Sequence, residues 1–238
     1  MLYCKVHSEI LQQEVPLLFK SILCLMGILP SHARVKIVHF ITKKLIDYYG
    51  DLKVGGLEKL PEEPVIFVCN HLSNADGLIF RDILAHRRTV FLAGVKLQNE
   101  YLTNLVLETL DYIPIYPNQP DRKALINAIR ASKDGKDIFI FPEGTRSRTG
   151  KMIEGCAGVL FIAKKAGVPL VPVGIWGSEK LLPIQNDNMG QEWFQKAEVN
   201  VAFGPAFTLA ELDEEKPIEG IMRRIAQLLP EEYRGVYA

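Results

Sequence analysis

Residues 65–76 read VIFVCNHLSNAD. Five β-branched, aromatic or small apolar side chains (Val65 to Cys69) make a short buried strand, a polar turn follows, and Asn74-Ala75 opens a helical pattern. Reading outward from there, the same alternation recurs. Strands are predicted at Val65 to Cys69, Val90 to Ala93, Ile113 to Tyr116, Asp137 to Phe141, Leu170 to Ile175 and Val199 to Phe203. Helices are predicted at Ala75 to Ala85, Asn99 to Leu110, Arg122 to Ser132, Cys156 to Ala166 and Pro217 to Leu229. Strands alternating with helices imply an α/β domain over residues 51–238, with a mostly parallel sheet flanked by helices. In such folds ligands collect beyond the carboxyl ends of the strands.

Residues 1–50 form a second unit, an N-terminal helical hairpin. Its first helix carries the apolar run Val15 to Leu29, 15 residues interrupted by Lys20, short of the roughly 20 needed to cross a bilayer. Pro30-Ser31 breaks it, and Val35, Val38, Ile41, Leu45 and Tyr49 then recur at helical spacing with Lys36, Lys43 and Lys44 between them. Such a pair either lies on an anionic membrane surface or packs as an ordinary hairpin on the main domain.

The 238 residues are 48% hydrophobic and 24% charged, a composition that supports one large core and excludes long disorder. Lys plus Arg equals Asp plus Glu, 28 against 28, so no basic excess exists to drive nucleic-acid binding. The balance is uneven: residues 1–50 hold six basic against three acidic side chains. Four cysteines, at 4, 24, 69 and 156, lack the paired spacing of a zinc site and are too sparse for a disulfide scaffold. No metal site is expected. The acidic stretch Glu9 to Glu14 before the apolar run does not read as a cleavable signal, and a cytoplasmic protein is expected.

Two turns carry candidate chemistry. His71 and Asp76 are five residues apart, a spacing that puts them on different faces of one helix or strand, so they meet only across the turn after Cys69. There the carboxylate can hold one imidazole nitrogen while the other faces a reactant, a general-base pair; the alternative is a satisfied histidine with Asn74 or Asp76 capping the helix. No G-x-S-x-G elbow supplies a nucleophile, so direct base catalysis on an alcohol is preferred. The second turn, FPEGTRS at 141–147, again ends a strong strand. Its glycine permits close backbone approach and Arg146 offers a fork of donors suited to phosphate. Residues 121–151 hold eight basic and four acidic side chains. This loop reads as an anion site, or as a plain solvated turn. A third stretch, VPLVPVGI at 168–175, places two prolines in a strand and predicts a sheet edge or a bulge there.

NHLSNAD, FPEGTRS and VPLVPVGIWGS occur in the order and context of the glycerolipid acyltransferase family, and the chain resembles its 1-acylglycerol-3-phosphate (lysophosphatidate) acyltransferases over roughly residues 50–205. The resemblance implies transfer of a fatty acyl group from acyl-CoA or acyl carrier protein to the hydroxyl of 1-acylglycerol-3-phosphate, giving phosphatidate for phospholipid biosynthesis. It implies His71 as the base, Asp76 as its orienting carboxylate, and Glu143, Gly144, Thr145 and Arg146 as the acceptor-phosphate loop, with Lys96 adding charge. Pro172 falls in the last motif. No cofactor is implied beyond the thioester co-substrate, and residues 8–49 become a membrane-surface element, making the protein peripheral on the inner face of the membrane. One region departs from the family pattern. Lys96 is followed by Leu97-Gln98-Asn99, and Pro117 stands where the family carries a phosphate-binding arginine, with Arg122 nearby. Loss of one such contact costs about 1.5 to 3 kcal/mol. The alternatives are therefore another lysophospholipid or lipid alcohol as acceptor, or a non-catalytic lipid-binding protein of the same fold.

Overall fold

The helical spacing that begins after Pro30 forms α1 (Ser31–Tyr49), in a computed structural model that describes residues 26, 28–95, 101–116, 121–184 and 192–238. The expected first helix of the hairpin, like Lys96 and Pro117, lies outside the described residues. One stripe of α1, Val38, Thr42 and Ile46, is buried. Arg34 anchors the helix through two bonds to Glu108, at 2.7 and 2.8 Å, and Arg81 donates to Thr42 Oγ1 at 3.2 Å. The inner face of α1 thus packs on the main domain.

The remaining elements follow in order. They are β1 (Gly50–Gly55), β2 (Ile66–Cys69), α2 (Ala75–Ile83), β3 (Thr89–Gly94), α3 (Tyr101–Leu107), β4 (Tyr112–Ile115), α4 (Arg122–Lys133), β5 (Asp137–Ile140), α5 (Gly158–Ala166), β6 (Leu170–Trp176), α6 (Ser178–Leu181), β7 (Ala197–Phe203) and α7 (Pro217–Ala226). Six strands fall within a residue or two of their expected places. The seventh, β1, was not anticipated, because its sequence GDLKVG has only Leu52 and Val54 as large apolar residues and its side chains are mostly exposed.

The strands form one sheet in the order β1-β7-β6-β2-β5-β3-β4. From β6 to β4 all neighbours are parallel. β7 joins β6 antiparallel and β1 pairs with β7 in parallel, so these two strands run against the other five. Side chains alternate across β2 and β5. Ile66, Val68, Ile138 and Ile140 face a layer containing α4, α5 and α7, whereas Phe67, Cys69 and Phe139 face α1, α2 and α6.

The proline-bearing strand corrects one expectation. β6 is not at an edge but in the sheet interior between β7 and β2. Pro172 is tolerated there because its carbonyl accepts the Gly204 N–H at 2.9 Å, and carbonyl and nitrogen of one strand residue point the same way. The missing donor therefore faces the stretch just after β7, where the ladder is irregular: between the Leu170 to Phe207 bridge and the Val173 to Phe203 pair the neighbour carries one extra residue. The bulge expected in β6 itself is therefore also corrected: the extra residue lies on the neighbouring segment.

Connectivity then creates a crevice. The chain leaving β2 crosses one face of the sheet through α2 to β3, passing β5, while the chain leaving β5 crosses the other face through α5 to β6, passing β2. Adjacent carboxyl ends whose connections depart to opposite faces form the switch point where α/β sheets bind ligands. His71 follows β2 and the 141–147 loop follows β5.

Candidate active site

Asn70 ends β2 by giving its side chain to the backbone of β6: Oδ1 accepts the Ile175 N–H at 2.9 Å and Nδ2 donates to the Ile175 carbonyl at 2.8 Å. The chain is thereby fixed just before it turns. The turn closes on Asp76, which is fully buried and whose Oδ2 accepts the backbone N–H of Leu72 at 2.8 Å and of Ser73 at 2.9 Å. The same oxygen lies 2.9 Å from His71 Nδ1. A carboxylate accepts, so the ring hydrogen belongs on Nδ1 and Nε2 is left as the basic nitrogen. The capping alternative does not hold: Asn74 makes no side-chain bond to the start of α2, and the amides that Asp76 accepts belong to the turn before the helix.

Phe141 fixes the ring from one side, stacked at 3.9 Å between centroids and 13° between planes. Its own position is set by an edge-on contact with buried Phe139. Ser73 is occupied elsewhere. Its hydroxyl donates to the Leu182 carbonyl at 3.0 Å and accepts the Ala75 N–H at 3.2 Å, so it closes the helix start and does not face the imidazole.

The loop after β5 is bound to this turn. Ser147 N–H donates to the His71 carbonyl at 2.8 Å, and the Ser147 hydroxyl holds both backbone groups of Lys151. Gly144 takes φ +68°, left-handed backbone that favours glycine, and leaves Thr145 exposed beside it. Glu143 points the other way. It is 3% exposed, its Oε1 accepts the His71 N–H at 3.4 Å, and its Oε2 has no partner among the described residues. Burial, with the Asp76 charge adding to it, pushes the Glu143 carboxyl from an ordinary 4.5 up to about 8, against the opposing pull of the nearby His71 and Ile153 backbone amides. A neutral acid thus underlies the loop near pH 7.

Arg146 Nη1 donates to Glu192 Oε1 at 3.1 Å, and Asn74 Nδ2 donates to the same oxygen at 2.9 Å. Two donors on one oxygen lie within about 6 Å of each other, so the guanidinium stands beside the His71 to Asp76 turn. The structure therefore brings His71, Asp76 and residues 143–146 to one place, and Lys96 lies outside the described residues. Glu192 was missed by the sequence reading; it is a lone acid in a connecting stretch and bears no motif. Beside the two loops is a cavity of about 440 Å³ lined by apolar Leu72, Pro183 and Ile184 and by charged Arg148, Lys151, Glu179 and Glu232. Among the described residues no His, Cys, Asp and Glu cluster is arranged to hold a metal ion.

Comparison with known proteins is consistent with this geometry. A 1-acyl-sn-glycerol-3-phosphate acyltransferase of Brassica napus chloroplasts is 29% identical over 164 residues, 66% of this chain and 47% of that protein. A probable 1-acyl-sn-glycerol-3-phosphate acyltransferase of Mycoplasma pneumoniae is 29% identical over 217 residues, 83% of this chain and 79% of its own length. The chain thus spans about half the length of the plant relatives it matches. The crystal structure of the 1-acyl-sn-glycerophosphate acyltransferase PlsC from Thermotoga maritima shares the fold, with a TM-score of 0.61 at 24% identity over 95% of this chain and 94% of that one. Residues 51–176 match the family described as Acyltransferase, a span that runs from β1 to the end of β6 and takes in both loops of the crevice. That span is more than half of the sequence, and the chain belongs to the Acyltransferase family.

Proposed function

We propose that the protein is an O-acyltransferase that moves a fatty acyl group from acyl-CoA or acyl carrier protein to the free hydroxyl of 1-acylglycerol-3-phosphate, giving phosphatidate on the cytoplasmic face of a membrane. The observation that carries the reading is the His71 Nδ1 to Asp76 Oδ2 contact of 2.9 Å, made across a turn that also adjoins Arg146. Asp76 holds the ring in one tautomer, and His71 Nε2 takes the acceptor proton as the hydroxyl oxygen attacks the thioester carbonyl. The C–S bond then breaks and His71 returns the proton to the leaving thiolate. Arg146, with the open backbone at Gly144 and Thr145, positions the acceptor phosphate; Glu143, neutral below, adds no repulsion, and Lys96 adds positive charge. Holding both substrates in attack geometry supplies much of the acceleration. No metal or cofactor takes part in this scheme.

Membrane contact is assigned to residues 8–49. On the outer face of α1, Phe40 is 62% and Tyr48 64% exposed, with Ile37 and Ile41 beside them and Lys36, Lys43 and Lys44 also exposed. Apolar side chains flanked by lysines suit an anionic lipid surface. No helix among the described residues is long and apolar enough to cross a membrane.

The test is free-thiol release from each donor across a panel of lysophospholipids, with lipid products identified. Ester formation that requires the lysolipid, with 1-acylglycerol-3-phosphate the best acceptor, supports the reading. Thiol release to water without any acceptor makes the protein a hydrolase, and vesicle binding without thioester consumption makes it a lipid-binding protein. His71→Ala is expected to lower the rate by about a hundred- to ten-thousandfold with the fold intact; a variant that keeps most of its activity overturns the base assignment.

A further inference from the structure

Glu192 lies between α6 and β7, outside every motif of the sequence and outside the residues that match the family. Its side chain is only 4% exposed, and the segment that carries it is pinned on two sides. Phe194 stacks on Tyr49 of α1, with centroids 6.2 Å apart, and Gln195 N–H donates to the Leu181 carbonyl of α6 at 2.8 Å. Its Oε1 gathers one donor from each half of the crevice, Asn74 from the turn after β2 and Arg146 from the loop after β5.

We propose that Glu192 is a positioning residue that sets the separation between the Arg146 guanidinium and the His71 turn, and so decides where a phosphate-anchored acceptor presents its hydroxyl. The inference rests on the acyl-transfer reading above. Guanidinium carries five N–H donors, and the described contact with Glu192 uses Nη1 alone. The guanidinium is thus anchored at one nitrogen, and its remaining N–H groups are not used by Glu192 in the described contacts. A phosphoryl group taken by such an arginine has its glycerol hydroxyl at a set distance from Nε2. An arginine free to change rotamer would bind phosphate over a range of positions, few of them within reach of the base.

The experiment is a double-mutant cycle on Glu192 and Arg146, assayed with 1-acylglycerol-3-phosphate and the better thioester donor. Glu192→Ala is expected to lower kcat/KM for the acceptor by about ten- to a hundredfold with the donor KM unchanged. Glu192→Gln, which keeps an oxygen for both donors, is expected to recover most of that loss. In an Arg146→Ala background, Glu192→Ala should cost far less than in the wild type, since only the Asn74 contact is then left to lose. Losses that multiply in the double variant, a loss that Gln does not relieve, or a gain in acceptor affinity on removing the carboxylate would each overturn the proposal. A wild-type protein that transfers to no phosphate-bearing acceptor overturns the underlying reading, and this inference falls with it.

Discussion

At the scale of single residues, Glu143 is the group whose environment most changes its chemistry. With its carboxyl pushed up to about 8 by burial, the native state keeps a proton that an unfolded glutamate releases near 4.3. Between those values the folded protein binds more protons than the unfolded one, so stability falls as pH rises through this window and levels off above it. Glu143→Gln should flatten that decline, read as denaturation midpoints at pH 5, 6, 7 and 8. Above pH 8 the wild-type acid becomes charged beneath the phosphate loop, so acceptor KM should climb on the alkaline side in the wild type and not in the Gln variant. Which residues sit in this site was partly written in the sequence. His71, Asp76 and Arg146 were visible as candidates at two strand ends, and the resemblance to the glycerolipid acyltransferases, carried by both motifs together, is what implied their roles. Glu192 was not, since its partners are set by tertiary packing with no local trace. The inward turn of Glu143 was equally hidden, because a loop glutamate reads as solvated until the neighbouring strand is placed over it.

At the scale of elements, the two ends of the central strands serve different ends. The carboxyl end holds the crevice, while the amino end is fastened by Asp137 at the start of β5. Its carboxylate accepts from Arg87 Nε at 2.6 Å, from Arg87 Nη2 at 2.8 Å and from the Val65 N–H at 3.0 Å. Arg87 in turn donates to the Pro61 carbonyl at 2.7 Å. With Asp137 3% exposed and the Arg87 side chain 12% exposed, Asp137→Ala strands a cation and should cost about 3 to 5 kcal/mol of stability, measured by denaturant unfolding. The kcat of molecules still folded should hardly change; a large fall in kcat without loss of stability would contradict this division. Periodicity exposed the strands and helices because buried strands such as DIFIF carry unbroken apolar runs. It failed for β1, whose two large apolar side chains give no run to detect. For β6 the prolines spoke truly of an irregular ladder, but which strand carries the extra residue depends on the partner, and the partner is distant in sequence.

At the scale of the whole molecule, α1 carries a buried stripe against the domain and an apolar, lysine-flanked outer face, and the proposed membrane contact rests on the latter. Phe40→Asp combined with Ile41→Asp should weaken co-sedimentation with anionic vesicles by about tenfold or more, as two apolar contacts are lost. Thermal stability should be little changed, since both side chains point outward. Raising the salt concentration should weaken binding of the wild type through its lysines; binding that ignores both changes would remove this face from the membrane contact. The α/β class was legible from the alternation of elements, but the reversed direction of β7 and β1 was not, because a strand's sequence does not record which way its neighbour runs. That reversal has a consequence for biogenesis. Gly50 to Gly55 are synthesised well before their partner, Ala197 to Phe203, so β1 waits for the strand that pairs with it. Until then β6 too is an open border of the sheet, and the nascent polypeptide is exposed to association with other chains over the interval in which its crevice is already spelled out but its rim is unfinished.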